Sequence, residues 1–239
     1  MMRMRMRAAL LGALAVGALM IAAPAAAQLS ATAIGVAEYD TEGTLLLLGG
    51  VTAGPGGRGW KPRVGIQAYS LNYDNGPSDV NVFSVRPYVG MRNLFNGGSL
   101  GFNVGYAFSN KDVDPTPVFV SESSDGVVVS GGLDYWGTTD TRLGYQALAA
   151  YNFGSEGFWG RGRVTTRLGQ MRANNAQTRL GAEVAFMAGE GYHGFQPGGV
   201  VEFHTGGGTI LGLGAGMKFF QGGSDAVYFK GEVTLPLAR

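Results

Sequence analysis

The chain has 239 residues, 42 of them glycine, with 15% charged and 11% aromatic side chains and no cysteine. That composition excludes a charged disordered polymer, a disulfide-stapled miniprotein and a thiolate zinc site, and the glycines lack the G-X-Y period of collagen. Three of the 18 basic residues, Arg3, Arg5 and Arg7, fall in an N-terminal targeting pattern; the remaining 15 face 17 acids, so no nucleic-acid partner is expected.

Met1–Arg7 alternates Met with Arg, Ala8–Ala23 is an unbroken apolar run, and Ala25, Ala26 and Ala27 supply small residues before Gln28. This is the three-part layout of a secretory signal, and the apolar run is shorter than the roughly 20 residues of a spanning helix. Residues 1–27 are therefore read as a cleaved signal peptide and residues 28–239 as a single domain. Beyond Gln28 the longest strictly apolar stretch is Leu45–Leu48, which leaves no helical span.

Period-two alternation takes its place. Phe83, Val85, Val89 and Met91 alternate with Ser84, Arg86, Tyr88 and Arg92, and from Leu100 to Phe108 every even position is large and apolar. Leu143, Tyr145, Ala147, Ala149 and Tyr151 stand against Gly144, Gln146 and Asn152. Leu180, Ala182, Val184 and Phe186 stand against Arg179, Gly181 and Glu183, and Val227, Phe229, Val233 and Leu235 against Tyr228, Lys230, Glu232 and Thr234. Such spacing gives each strand one greasy face and one polar or bare face.

Turn residues break the chain near Asp40–Gly43, Gly54–Gly59, Asp74–Asp79, Phe95–Ser99, Asn110–Gly126, Gly137–Thr141, Gly154–Gly157, Met171–Ala176, Gly189–Gly199, Gly206–Gly208 and Gln221–Asp225. Eleven breaks make twelve strands, an even count that brings both termini to one side. The odd-numbered breaks are then external loops, the fifth and ninth being the longest, and the even ones are short. Facing is ambiguous at Leu45–Val51 and Val64–Tyr73; losing hairpins there leaves ten strands or eight.

A soluble sandwich also alternates, but its strands are usually about 5 or 6 residues, whereas these runs are about 10 to 14, the length of tilted membrane-crossing strands. The second face carries Gly with Arg, Asn and Gln, which suits a lumen, and aromatics such as Tyr39, Trp60, Phe95, Phe153, Trp159 and Phe219 gather near strand ends. The expected fold is all-β: a closed antiparallel up-and-down transmembrane β-barrel of about twelve strands.

Together these features resemble small bacterial outer-membrane β-barrel proteins over residues 28–239. The resemblance implies the bacterial outer membrane as location and its lipid as partner; no cofactor is expected, and two His with scattered acids at these spacings make no metal site. One departure is the ending Leu235–Arg239, where such proteins usually carry a terminal aromatic. Leu143-Gly144-Tyr145 and Leu180–Val184 also resemble strands of barrels associated with cellulose or other exopolysaccharide export.

With the apolar faces turned to lipid, the lumen receives Arg86, Arg92, Arg142, Arg161, Arg163, Arg167, Arg179, Lys218 and Lys230 against Asp134, Glu183, Glu202 and Glu232. One reading is a set of internal ion pairs bracing a narrow barrel, with Glu183 and Glu202 as partners. The other is a constriction for small anionic solutes, its preference set by the Arg161, Arg163 and Arg167 row. The expected function is a narrow porin-like passive channel or a structural envelope protein, not an enzyme. One alternative is a lipid or acyl hydrolase using His204 beside Glu202 as base; no G-x-S-x-G elbow accompanies it. Another is an accessory barrel of exopolysaccharide (cellulose-like) secretion, with polysaccharide as partner. The acidic, proline-containing stretch Ser109–Asp125 reads as an exposed loop or a flap over the lumen.

Overall fold

The computed structural model describes residues 29–74, 79–114, 125–137, 141–169, 176–189, 192–221 and 225–238. The expected signal peptide and residues 115–124 of the acidic stretch lie outside these.

Twelve strands follow one another: β1 (Leu29–Asp40), β2 (Leu45–Pro55), β3 (Gly59–Asp74), β4 (Asp79–Phe95), β5 (Gly98–Asp114), β6 (Gly126–Tyr135), β7 (Leu143–Asn152), β8 (Gly157–Leu168), β9 (Gln177–Gly189), β10 (Tyr192–His204), β11 (Ile210–Phe220) and β12 (Ala226–Ala238). Each pairs antiparallel with its sequence neighbours, and β12 returns to β1 through pairs such as Tyr39↔Phe229 and Ala33↔Leu235, closing the barrel. Closure leaves no edge, so the backbone donors and acceptors are consumed within the wall. A spanning sheet requires this in hydrocarbon, where each unmet group costs several kcal/mol.

The alternation sets which way side chains look. Phe102 is 50% exposed and Leu213 61%, while Tyr228 and Arg179 on the inner face are 1% and 0% exposed. An outward belt that also includes Val104, Val164, Phe186 and Phe229 is far larger than a soluble surface carries, and hydrocarbon accounts for it. The two stretches of unclear facing are strands as well. In β2, Leu47 points out while Leu46 and Leu48 pair with Glu38 and Val36 on the inner side, so both faces are apolar and no period shows.

One expected break is absent. The stretch Gly189–Gly199 is not a long ninth loop: β9 runs to Gly189, β10 starts at Tyr192, and Phe195 and Gly198 pair with Phe186 and Glu183. Its glycines mark close packing instead of a turn. A Cβ on Gly194 would meet the Phe220 ring at 2.7 Å, and one on Gly198 the Tyr228 ring at 3.0 Å. Pro197 sits where the β10–β11 ladder skips from Phe195 to Gly198, so its missing N–H interrupts little. Nor are all even-numbered connections short: residues 136–142 and 169–176 are longer than every odd-numbered connection except 115–125.

Candidate functional site

The inner wall of β8–β12 is built around Arg163. Its guanidinium donates to Glu183 of β9 at 2.6 Å, to Glu202 of β10 at 2.8 Å and to Glu232 of β12 at 2.7 Å. β8 and β12 are separated by three strands, so the last contact crosses a third of the circumference through the lumen. Arg161, two residues earlier on the same face, also reaches Glu232 and, in the other direction, Gln146 of β7. Lys230 of β12 bridges back to Glu183 and lies 3.3 Å from Glu232. Tyr228 donates its hydroxyl to Glu183 at 3.3 Å. Charges this deeply buried are tolerable only when paired, and here each carboxylate meets two or more donors.

Two further knots lie along the same half. Toward the end carrying the odd-numbered connections, Lys218 of β11 binds Glu38 at 2.9 Å and Asp40 at 2.7 Å on β1, and Gln196 of β10 donates to Glu38 at 2.9 Å. At the opposite end, which carries the chain termini, Arg179 donates to Thr165 Oγ1 at 2.9 Å and to the carbonyls of Trp136 and Arg142, both at 3.0 Å. Arg179 thereby ties the backbone at Trp136 and Arg142 to the wall. Arg167 is buried in the row of Arg161 and Arg163.

The half formed by β3–β6 is different. Arg63 donates to Asn103 at 2.7 Å, Arg92 to Ser99 at 3.2 Å and Arg86 to Gln67. None of the three has a carboxylate oxygen within 4 Å among the described residues. Asp134 is engaged by Gln146 instead.

Of the residues expected in the lumen, Arg86, Arg92, Arg161, Arg163, Arg167, Arg179, Lys218, Lys230, Asp134, Glu183, Glu202 and Glu232 all stand on the inner face. Arg142 does not. It precedes β7 in the connection 136–142, its side chain is exposed, and only its backbone carbonyl serves the wall. Arg63, Glu38 and Asp40 were absent from the expected set. His204 binds Glu202 through Nε2 at 3.0 Å, and that carboxylate is shared with Arg163. His204 thus joins the ion-pair system of the wall. A cavity of about 840 Å³ is lined mainly by outward residues such as Leu47, Phe83, Phe203 and Leu213, so it is a groove on the outer face of the barrel.

Comparison with solved structures places this chain among bacterial β-barrels. The β domain of the Bordetella autotransporter BrkA shares 12% identity, with 87% of this chain and 98% of that one covered and a TM-score of 0.50. The translocator domain of the autotransporter NalP from Neisseria meningitidis shares 12% over 98% of this chain and 95% of that one, with a TM-score of 0.49. No curated protein matches the sequence. A family model described as cellulose biosynthesis protein BcsS matches residues 37–237, from within β1 almost to the end of β12. The chain therefore belongs to the cellulose biosynthesis protein BcsS family.

Proposed function

We propose that this chain is an outer-membrane accessory barrel of cellulose secretion whose bore is braced shut, and that it assists export without being an open passive channel. The observation that carries this reading is the Arg163 knot: in a chain of a cellulose-biosynthesis family, Arg163 of β8 is tied by ion pairs to β9, β10 and, across the lumen, β12. A twelve-stranded wall lies between side-chain-filled small barrels and open porins, so few such pairs suffice to occlude it. The glucan-handling contacts then lie at the barrel ends or with partner proteins, and no reaction is assigned to the chain.

The test is genetic and quantitative. A strain lacking the chain should export clearly less cellulose, with synthase activity in isolated inner membranes unchanged and export restored by the full-length gene. Undiminished export in the deletion strain overturns the proposal.

A further inference from the structure

One row on the inner wall is apolar. On β8–β11, Trp159 is paired with Met187, Met187 with Gly194 and Gly194 with Phe220. Trp159 stands two residues from Arg161, Met187 four from Glu183 and Phe220 two from Lys218, so period two turns all three side chains into the barrel. Phe220 and Met187 close over Gly194, where an added Cβ would stand 2.7 Å from the ring and 3.7 Å from Met187 Cβ. Gln196 and Lys218, which belong to the knot with Glu38 and Asp40, are the next inward residues on β10 and β11, so the row lies toward the end carrying the odd-numbered connections. Anchoring in the membrane does not require these rings. On β9–β11, Phe186, Phe195 and Phe219 already stack along the outer face, with centroids 5.2 and 6.3 Å apart. Trp159, placed near a strand end as a girdle residue would be, looks the other way, yet it is 36% exposed. An indole left in water forgoes the burial it could gain, and an apolar patch kept in that state marks a surface that a ligand covers.

We infer that Trp159, Met187 and Phe220 form a stacking platform for a β-1,4-linked glucan chain at this mouth of the barrel; the choice of ligand rests on the role in cellulose secretion proposed above. A β-1,4 linkage holds successive pyranose rings in an extended ribbon, with C–H groups on its flat faces and hydroxyls along its edges. Such a face covers an aromatic ring without stranding a hydroxyl, because the edges stay in water. Neighbouring strands lie about 4.8 Å apart, so the row from β8 to β11 is roughly 14 Å long, room for more than one sugar ring in line.

Calorimetric titration of the detergent-folded full-length protein with cellohexaose tests the platform. Saturable binding is expected, weakened about tenfold or more in Trp159→Ala and largely kept in Trp159→Phe. Trp60→Ala removes a ring that packs on outward Phe102 and should bind as the parent does. Maltohexaose, whose α linkages curl the chain, should bind about tenfold more weakly or worse. Heat-modifiable gel mobility shows that each variant is folded. Absence of saturable cellohexaose binding, undiminished binding in Trp159→Ala, an equal loss in Trp60→Ala or equal affinity for maltohexaose overturns the platform. Reduced export in the deletion strain without cellohexaose binding removes the platform and leaves the secretion role standing. Platform-dependent binding with undiminished export does the reverse.

Discussion

Arg163 is contacted by carboxylates from three other strands, so its removal leaves Glu183, Glu202 and Glu232 short of their shared cation in a largely buried part of the wall. Breaking a buried pair by deleting one partner usually costs about 3–5 kcal/mol. Arg163→Ala should lose stability of that order in urea unfolding from lipid vesicles, and a change below about 1 kcal/mol would mean that water already solvates the knot. Tyr228 gives a second single-residue test. Its ring lies across Gly216 and Gly198 on β11 and β10, but a Cβ on Gly216 would meet the Pro197 carbonyl oxygen first, then Gly198 Cα at 2.6 Å and the ring at 2.7 Å. Gly216→Ala should therefore cost about 1–3 kcal/mol by overpacking against the β10 backbone, and Tyr228→Leu should relieve little of it in the double variant; full rescue would mean that the ring alone sets the limit. Half of the knot is legible in sequence: even spacing puts Arg161, Arg163 and Arg167 on one face, and Glu183 and Glu202 follow on the next two strands. Glu232 is not legible, because only barrel closure brings β12 across from β8. Arg63 was hidden because its strand, like β2, has apolar residues on both faces, and Glu38 and Asp40 because they adjoin a turn.

At the level of a strand, β5 is the clearest case, with Phe102, Val104, Tyr106 and Phe108 exposed and Gly101, Ala107 and Ser109 buried between them. Such strict alternation can be read from any short window and gives the facing that is found; the register, Val104 opposite Val89 and Val129, comes from the structure. Val104→Arg should cost about 2–4 kcal/mol if the residue lies near the bilayer midplane. Asn103→Ala, one residue along but inside, removes bonds to Arg63 and Ser130 and should cost about 0.5–1.5 kcal/mol per bond. Folding titrations of the two variants into vesicles check the difference, and equal penalties would mean that the outer face is not in lipid. β10 shows where this legibility ends. Gly194, Gly198, Gly199 and Pro197 are turn residues by composition, yet here Gly194 makes room for Phe220, Gly198 makes room for Tyr228 and the proline falls in a gap of the ladder. Composition gives the absence of a side chain; whether it serves a bend or a neighbouring ring depends on strands that are distant in sequence.

For the whole molecule, the distribution of charge decides what the lumen can pass. Arg161, Arg163, Lys218 and Lys230 on β8–β12 are bound to carboxylates, some from across the bore, whereas Arg63, Arg86 and Arg92 on β3 and β4 hydrogen-bond to the neutral side chains of Asn103, Gln67 and Ser99. A basic wall counted residue by residue suggests an anion path, but the pairing removes most of that field where the bore is crossed. The two readings of the lumen therefore predict opposite responses to one change. If the Arg row selects anions in an open pore, the parent protein carries an anion-biased current in planar bilayers and loss of the arginines lowers it. If the row braces the bore, the parent is nearly silent, and Arg161→Ala combined with Arg163→Ala opens it. Glu183, Glu202 and Glu232 would then face water with Lys230 as their remaining lysine partner, so the new current should favour cations. Heat-modifiable mobility of the double variant establishes that the current comes from a folded barrel. The geometry of Glu232, reached by both arginines from three intervening strands away, favours the second outcome.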